Sequence, residues 1–418
     1  MTTRMMLQVE IKSKETIKPS SPTPPNHPPI QLSSLDHTSP HVYAHILLFY
    51  STTINPNHLK TSLSTTLLHL SPLAGRIHRS SSDNTLYVHC TDDGAVFIQA
   101  EAHQAFNLQH ASSSSSIDDL RKLLPIKKEH FNLLSEDPLL AVQLTVFDSG
   151  GHVLGLSMSH LIADGASMAI FLKHWSSISR SGASATIING SLPNFHSASL
   201  LFSPSEPFPE TVQLVKSSTD GGEVAIRRFM IDKDGVERLR ISKQGWRPTR
   251  VEAVNGLFWR CLRRANASMA DGHVVSQVVN LRRRMGSKLS INESFGNLWV
   301  GVNVVSSECE RVEEALREAV TSVDEEYVKK LIEGKMKKRS ACWIFNSWCR
   351  MGFYESSDFG SGEAIWVACG SREVKNVCLL IDAKDGEGVE VWVWLDVDEM
   401  ERLERDIELL DFVSHVGK

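Results

Sequence analysis

Apolar and polar residues alternate from Met6 to Ile11, the spacing of a half-buried strand. The Pro- and Ser-rich run Ile17–Pro25 behind it fits neither regular helix nor central strand. A second strand is predicted over Val42–Tyr50 and a helix over Asn57–Leu70, stopped by Pro72 and Gly75. The clearest local unit is a hairpin. Leu139–Phe147 leads through the turn Asp148-Ser149-Gly150-Gly151 into a returning strand, Val153–Ser159. Leu154, Leu156 and Met158 share one face of that strand, and His160 continues the face just past the last core residue. A helix is predicted over Ala166–Ser179, where Met168, Phe171, Leu172, Trp175 and Ile178 recur at helical spacing. His160 and Asp164 therefore fall in the connection between a buried strand end and a helix start.

Ser112–Ser116 is a polar low-complexity stretch, and residues 181–212 turn to Ser, Gly, Asn and Pro, as an interdomain linker does. The expected division is an N-terminal domain over 1–180, that linker, and a C-terminal domain over 213–418. The second half opens with a strand near Ala225–Ile231. Thr249-Arg250-Val251-Glu252 reads as a capping box, starting a helix with the stripe Val251, Val254, Phe258, Cys261 and Leu262. Strands follow at Val274–Leu281 and Asn297–Val305. Val377–Asp382 and Val389–Leu395 form a hairpin, and a last helix is expected over Val397–Leu410. Strands and helices alternate in both halves without a short repeat, which points to two α/β domains of similar size.

Composition narrows the class. The 418 residues are 41% hydrophobic and 22% charged, ordinary for a globular chain. A formal charge of −5 and a pI near 6.4 give no pull toward nucleic acid. Basic clusters stand at Arg263-Arg264, Arg282-Arg283-Arg284 and Lys335–Arg339; each reads first as a solvated face, although two or three positive charges can seat phosphates. Seven scattered cysteines without a C-x-x-C pair suit reduced cytosolic thiols better than disulfides or zinc. Charges break the apolar residues of the N-terminus, so no signal-peptide core is evident, and apolar stretches such as Ile46–Tyr50 fall far short of the roughly 20 residues of a membrane span. The expectation is a cytoplasmic enzyme without membrane or nucleic-acid partners.

His160-x-x-x-Asp164-Gly165 is a weak string alone, and its place at a strand-to-helix turn gives it weight. Gly165 would permit an unusual backbone there. A neutral imidazole can take a proton from a hydroxyl or amine attacking a carbonyl, and no serine or cysteine nucleophile is then needed. The chain accordingly has no G-x-S-x-G elbow, G-x-G-x-x-G fingerprint or phosphate-binding P-loop. A metal at His160 and Asp164 is disfavoured, since no third ligand stands at a recognisable spacing.

Ser159-His160-Leu161-Ile162-Ala163-Asp164-Gly165 resembles the His-x-x-x-Asp-Gly motif of CoA-dependent acyltransferases, and Asp358-Phe359-Gly360-Ser361-Gly362 resembles the Asp-Phe-Gly-Trp-Gly motif of the plant BAHD family. Leu32–Asp36, Pro72–Arg76, Thr249–Ala253, Asn280–Arg282, Phe295–Trp299 and Val389–Val393 are similar to the same family, in family order across the chain. The resemblance, strongest to an acetyl-CoA-using alkaloid and alcohol branch, implies two chloramphenicol-acetyltransferase-like domains with a channel between them. It implies a monomer with no bound cofactor, acyl-CoA as co-substrate and a small plant metabolite as acceptor. His160 would be the base of a ternary complex, and Asp164 would orient it while pairing with Arg282. Asp358, Gly360 and Gly362 would shape the motif at the channel, the glycines toward the CoA. Ser361 departs from the family tryptophan, whose indole N–H would stabilise an oxyanion; losing such a donor costs roughly 100- to 1000-fold in rate. An inactive homologue that binds CoA, or an N-acyltransferase, are the alternatives.

Overall fold

In a computed structural model, residues 7–103, 116–127, 137–181, 192–204, 223–241, 245–266, 274–284, 292–305, 312–333, 343–370 and 375–417 are described. They fall into two compact units. The first comprises 1–207, 290–298 and 351–371, and the second 208–289, 299–350 and 372–418.

In the first unit, β1 (Val9–Ile17), β3 (Tyr43–Tyr50), β6 (Ala95–Ala102), β7 (Leu140–Phe147), β8 (His152–Ser159) and β13 (Trp366–Ala368) form a mixed sheet in the order β1-β6-β7-β8-β3-β13. The predicted hairpin β7–β8 lies at its centre, and β3 runs antiparallel to β8 from Tyr43 opposite Ser159 to Tyr50 opposite His152. Every residue of β8 is buried, which a central strand covered on both faces requires. Helices Pro56–His69 and Gly165–Ser181 pack on each other, with the Trp175 indole N–H donating to Ser62 Oγ at 3.0 Å. A smaller sheet, β2 (Ile30–Gln31), β5 (Leu86–His89) and β4 (Arg76–Arg79), completes the unit.

The second unit holds a seven-stranded sheet among its described residues: β9 (Val224–Ile231), β10 (Val274–Asn280), β11 (Trp299–Val305), β12 (Trp343–Ser347), β14 (Val377–Asp382), β15 (Val389–Asp396) and β16 (His415–Gly417), ordered β11-β10-β12-β14-β15-β9-β16. Helix Arg250–Ala265 starts at the predicted capping box of Thr249 and Glu252 and buries Val254, Phe258, Cys261 and Leu262. Among the described residues no helix is long and apolar enough to cross a membrane.

In its elements and units the structure departs from the sequence reading in two places. The expected helix Val397–Leu410 is two, Val397–Leu403 and Ile407–Leu410, because Asp406 leaves helical geometry and accepts the Leu409 backbone N–H at 3.1 Å. The 351–371 segment, which includes the Asp358–Gly362 motif assigned by position to a C-terminal domain, packs in the first unit, where β13 extends the sheet beside β3. Chain order is a poor guide here, since strand pairing and not proximity in sequence decides membership. Most of the expected linker, 182–191 and 205–212, lies outside the described residues, as do Ser112–Ser115.

Candidate functional site

His160 follows the last residue of β8, and its backbone N–H donates to Val42 O at 2.9 Å, which ties the turn to the strand beside it. Its Nδ1 lies 3.1 Å from Asn297 Oδ1. The orientation of the Asn297 amide is set by its other contacts: Nδ2 donates to the His160 carbonyl at 2.7 Å, an oxygen that can only accept, and to Asp36 Oδ1 at 2.9 Å. That orientation turns Asn297 Oδ1 to the ring as an acceptor, which assigns the proton to Nδ1. Nε2 is left as the proton-accepting nitrogen. The ring keeps a partial opening to solvent, while the protein around it is dense enough that burial lowers its pKa below the ordinary histidine value. Its own carbonyl, the Asp164 and Asp36 carboxylates and Asn297 pull the other way without overcoming burial. A neutral imidazole near pH 7 results.

Asp164 plays a different part. It precedes helix Gly165–Ser181, and its Oδ1 accepts the Ser167 backbone N–H at 2.8 Å while its carbonyl accepts from Met168, the pattern of an N-cap. Oδ2 accepts the Leu298 N–H at 3.1 Å. One carboxylate thus fixes the helix start and the segment that carries Asn297. Ser167 Oγ reinforces the join, accepting from Gly296 N at 3.0 Å and donating to Gly296 O at 2.9 Å. Gly165 is the first helical residue and is not among the positive-φ glycines, so the unusual backbone expected of it is absent. Arg282 is buried in the other unit, on the turn Leu281–Arg283, where Asn280 Oδ1 accepts its backbone N–H at 3.0 Å.

The second motif is built for a turn. Asp358 Oδ1 accepts the backbone N–H groups of Gly360 at 2.8 Å and Gly362 at 3.0 Å. Both glycines have positive φ, +98° and +92°, a conformation that costs other residues dearly, so the turn alone accounts for them. Phe359 is buried edge-on against Trp175, its ring centroid 4.7 Å away, and Ser179 Oγ donates to its carbonyl at 2.9 Å. The Ser361 carbonyl accepts from Thr52 Oγ1 at 2.8 Å. That contact decides the oxyanion question. Thr52 lies just past Tyr50, the end of β3 opposite His152, whereas His160 follows Ser159, which pairs with Tyr43 at the other end. Seven residue steps of strand separate the two ends, about 24 Å at roughly 3.4 Å per residue. By this register Ser361 and Asp358 stand at the opposite end of β3 from His160.

Among the described residues, one group of ligand-type side chains comes close together: Cys261, Asp406 and Glu408. Arg264 already occupies it, with Nε 2.7 Å from Asp406 Oδ2, and Nη2 2.8 Å from Glu408 Oε2 and 3.2 Å from Cys261 Sγ. A guanidinium there satisfies the carboxylates without a metal ion. The basic cluster Lys335–Arg339 lies outside the described residues.

Asn297 was not singled out by any periodicity or spacing, although Phe295–Trp299 stood out as a segment. It lies 137 residues from His160 in sequence, so no local pattern links the two.

The chain is similar to known proteins over most of its length. The model of the family described as the Transferase family matches residues 7–410. Stemmadenine O-acetyltransferase of Catharanthus roseus is 32% identical, over 97% of this chain and 99% of its own. Vinorine synthase of Rauvolfia serpentina is also 32% identical, over 98% and 99%. The crystal structure of vinorine synthase superposes with a TM-score of 0.79 at 31% identity, covering 97% of this chain and 98% of that one. At 14% identity, TRI101 of F. graminearum, solved with coenzyme A and deoxynivalenol, shares the fold with a TM-score of 0.68 over 93% and 99% of the two chains.

Proposed function

This chain belongs to the BAHD family of acyltransferases, and we propose that it moves an acetyl group from acetyl-CoA to a hydroxyl of a small plant specialised metabolite, with His160 as general base. The observation that carries the proposal is the Asn297–His160 contact, whose geometry favours a proton on Nδ1 and an Nε2 able to accept one. In a ternary complex, Nε2 takes the acceptor's hydroxyl proton as the oxygen attacks the thioester carbonyl. The tetrahedral intermediate then expels the CoA thiolate with cleavage of the C–S bond, and the proton on Nε2 passes to the sulfur. Acyl ester and free CoA leave, and His160 returns to its starting state. Lowering of the His160 pKa by burial keeps the ring neutral and able to accept that proton. Relatives named as O-acetyltransferases support both the acetyl donor and the hydroxyl acceptor.

The inactive-homologue alternative rested on Ser361, and it loses that support because the Ser361 turn stands at the far end of β3 from His160. The proposal includes a monomer working in the cytoplasm, which size-exclusion chromatography and cell fractionation check. Its central test is incubation of the purified chain with acetyl-CoA and a panel of plant alcohols, read as free thiol released. Silence across a broad panel, with acetyl-CoA shown to bind by thermal shift, refutes turnover.

A further inference from the structure

We propose that Asp36 is a positioning residue for the reaction, acting on His160 through Asn297 as the far member of a three-residue chain. The inference rests on His160 being the base. Asp36 is buried, and burial pushes its carboxyl up from the usual range while donors from Ser33 and Asn297 on both oxygens pull it back down. Oδ1 accepts the backbone N–H of Asn297 at 2.8 Å and its side-chain Nδ2 at 2.9 Å. Oδ2 accepts the backbone N–H of Ser33 at 2.8 Å and its Oγ–H at 2.6 Å. A carboxylate meets four donors without any group rearranging, whereas a proton on Oδ1 would point at one of two N–H groups. Asp36 and Ser33 form the capping box of the short helix Ser34–His37, so the carboxylate is set by its own local turn before it meets Asn297.

The order of the chain gives it a chemical purpose. The anion polarises the Asn297 amide, strengthening Oδ1 as an acceptor for the His160 Nδ1–H, and the strength of that bond matters most when His160 becomes imidazolium. The charged groups acting on the ring are Asp164 and Asp36, and both favour the protonated form. Asp164 caps the helix and accepts from Leu298, and Asp36 reaches His160 through the amide that holds the ring. No signal in the sequence joins residues 36, 160 and 297; strand pairing and the fold of 292–298 onto the first unit bring them together.

The test compares wild type with Asp36→Asn, which keeps the shape and removes the charge. Long-range 1H–15N correlation spectra of histidine-labelled protein, with the His160 signals assigned by their loss in His160→Ala, read the tautomer and the pKa directly. Wild type is expected as the Nδ1–H tautomer. In Asp36→Asn the His160 pKa is expected to fall further, by at least about half a unit, and the acid limb of kcat/KM to move down with it. The rate on the plateau should fall about 10- to 100-fold, with acetyl-CoA binding retained. A variant that loses rate and thermal stability while the His160 pKa and acid limb stay fixed shows a structural role only and overturns the proposal, as does a wild-type Nε2–H tautomer. If Asp36→Asn does not fold, Asn297→Ala cuts the same chain at its middle link. Retention there of both the Nδ1–H tautomer and the wild-type acid limb is equally fatal. The spectra need no turnover, so a protein inactive toward every acceptor would refute the proposed reaction while still deciding the role of Asp36.

Discussion

Two turns in the first unit carry motif residues, and they are built for opposite ends. At 160–165 the backbone N–H groups of His160 and Ile162 donate to Val42 and Ser159, Asp164 accepts from Ser167 and Met168, and the ring nitrogen not held by Asn297 is the proposed base. At 358–362 the side chain of Asp358 is spent on Gly360 and Gly362, Phe359 is buried against Trp175, and the backbone carbonyls of 358, 359 and 361 accept from Arg180, Ser179 and Thr52. One turn holds a reactive atom still; the other holds itself together at the far edge of the sheet. A recurrent string is therefore no evidence that its residues touch substrate. What separates chemistry from scaffolding is where each polar atom finds its partner.

The largest expected effect breaks the first turn at its reactive atom. His160→Ala should lower kcat by about 10²- to 10⁴-fold while acetyl-CoA binding and the melting temperature hold, measured by thiol release and thermal shift. Near wild-type turnover would remove His160 as base. Asp164→Ala should next lower rate and stability together, by about 2–3 kcal/mol in stability from the lost N-cap and the orphaned Leu298 N–H. A change in rate with stability intact would give Asp164 a direct chemical part.

The acid side of the pH profile sharpens the same turn. Burial lowers the His160 pKa, so the neutral base persists below the ordinary value of 6.5, and the acid limb of kcat/KM should lie below pH 6.5. A limb at or above 6.5 would mean that Asp164, Asp36 and Asn297 together outweigh burial. On the second turn, Asp358→Ala should cost about 1 kcal/mol of stability and leave kcat per folded molecule unchanged. Smallest of all, Ser361→Trp should change kcat by less than about twofold. A large gain there would erase the contrast between the two turns, since it would bring the distant loop into the chemistry.

Local order was written in the sequence to a considerable depth. The β7–β8 hairpin, the helix after Asp164, the capping box at Thr249 and the Val377–Leu395 hairpin follow from short-range periodicity, and each is found within a residue or two of its expected place. His160 itself could be read there, because a strand end followed by a helix start is a local pattern. The split of the last helix at Asp406 was missed because a cap competes with helix continuation over only a few residues, below the resolution of an apolar stripe.

Only the tertiary structure decided which distant residues complete the site. Asn297 and Asp36 lie in recognisable segments, yet 137 residues separate His160 from Asn297 and 261 separate Asn297 from Asp36, and no periodicity reaches across such gaps. The misplaced role of Ser361 has the same origin. Its string suggested proximity to the chemistry, while the antiparallel register of β3 against β8 sets it at the opposite end of the strand from His160. Sequence determines what each short segment prefers to be, since those preferences come from neighbours a few residues away. Which segments meet is settled by strand register and burial, and those depend on the whole chain at once.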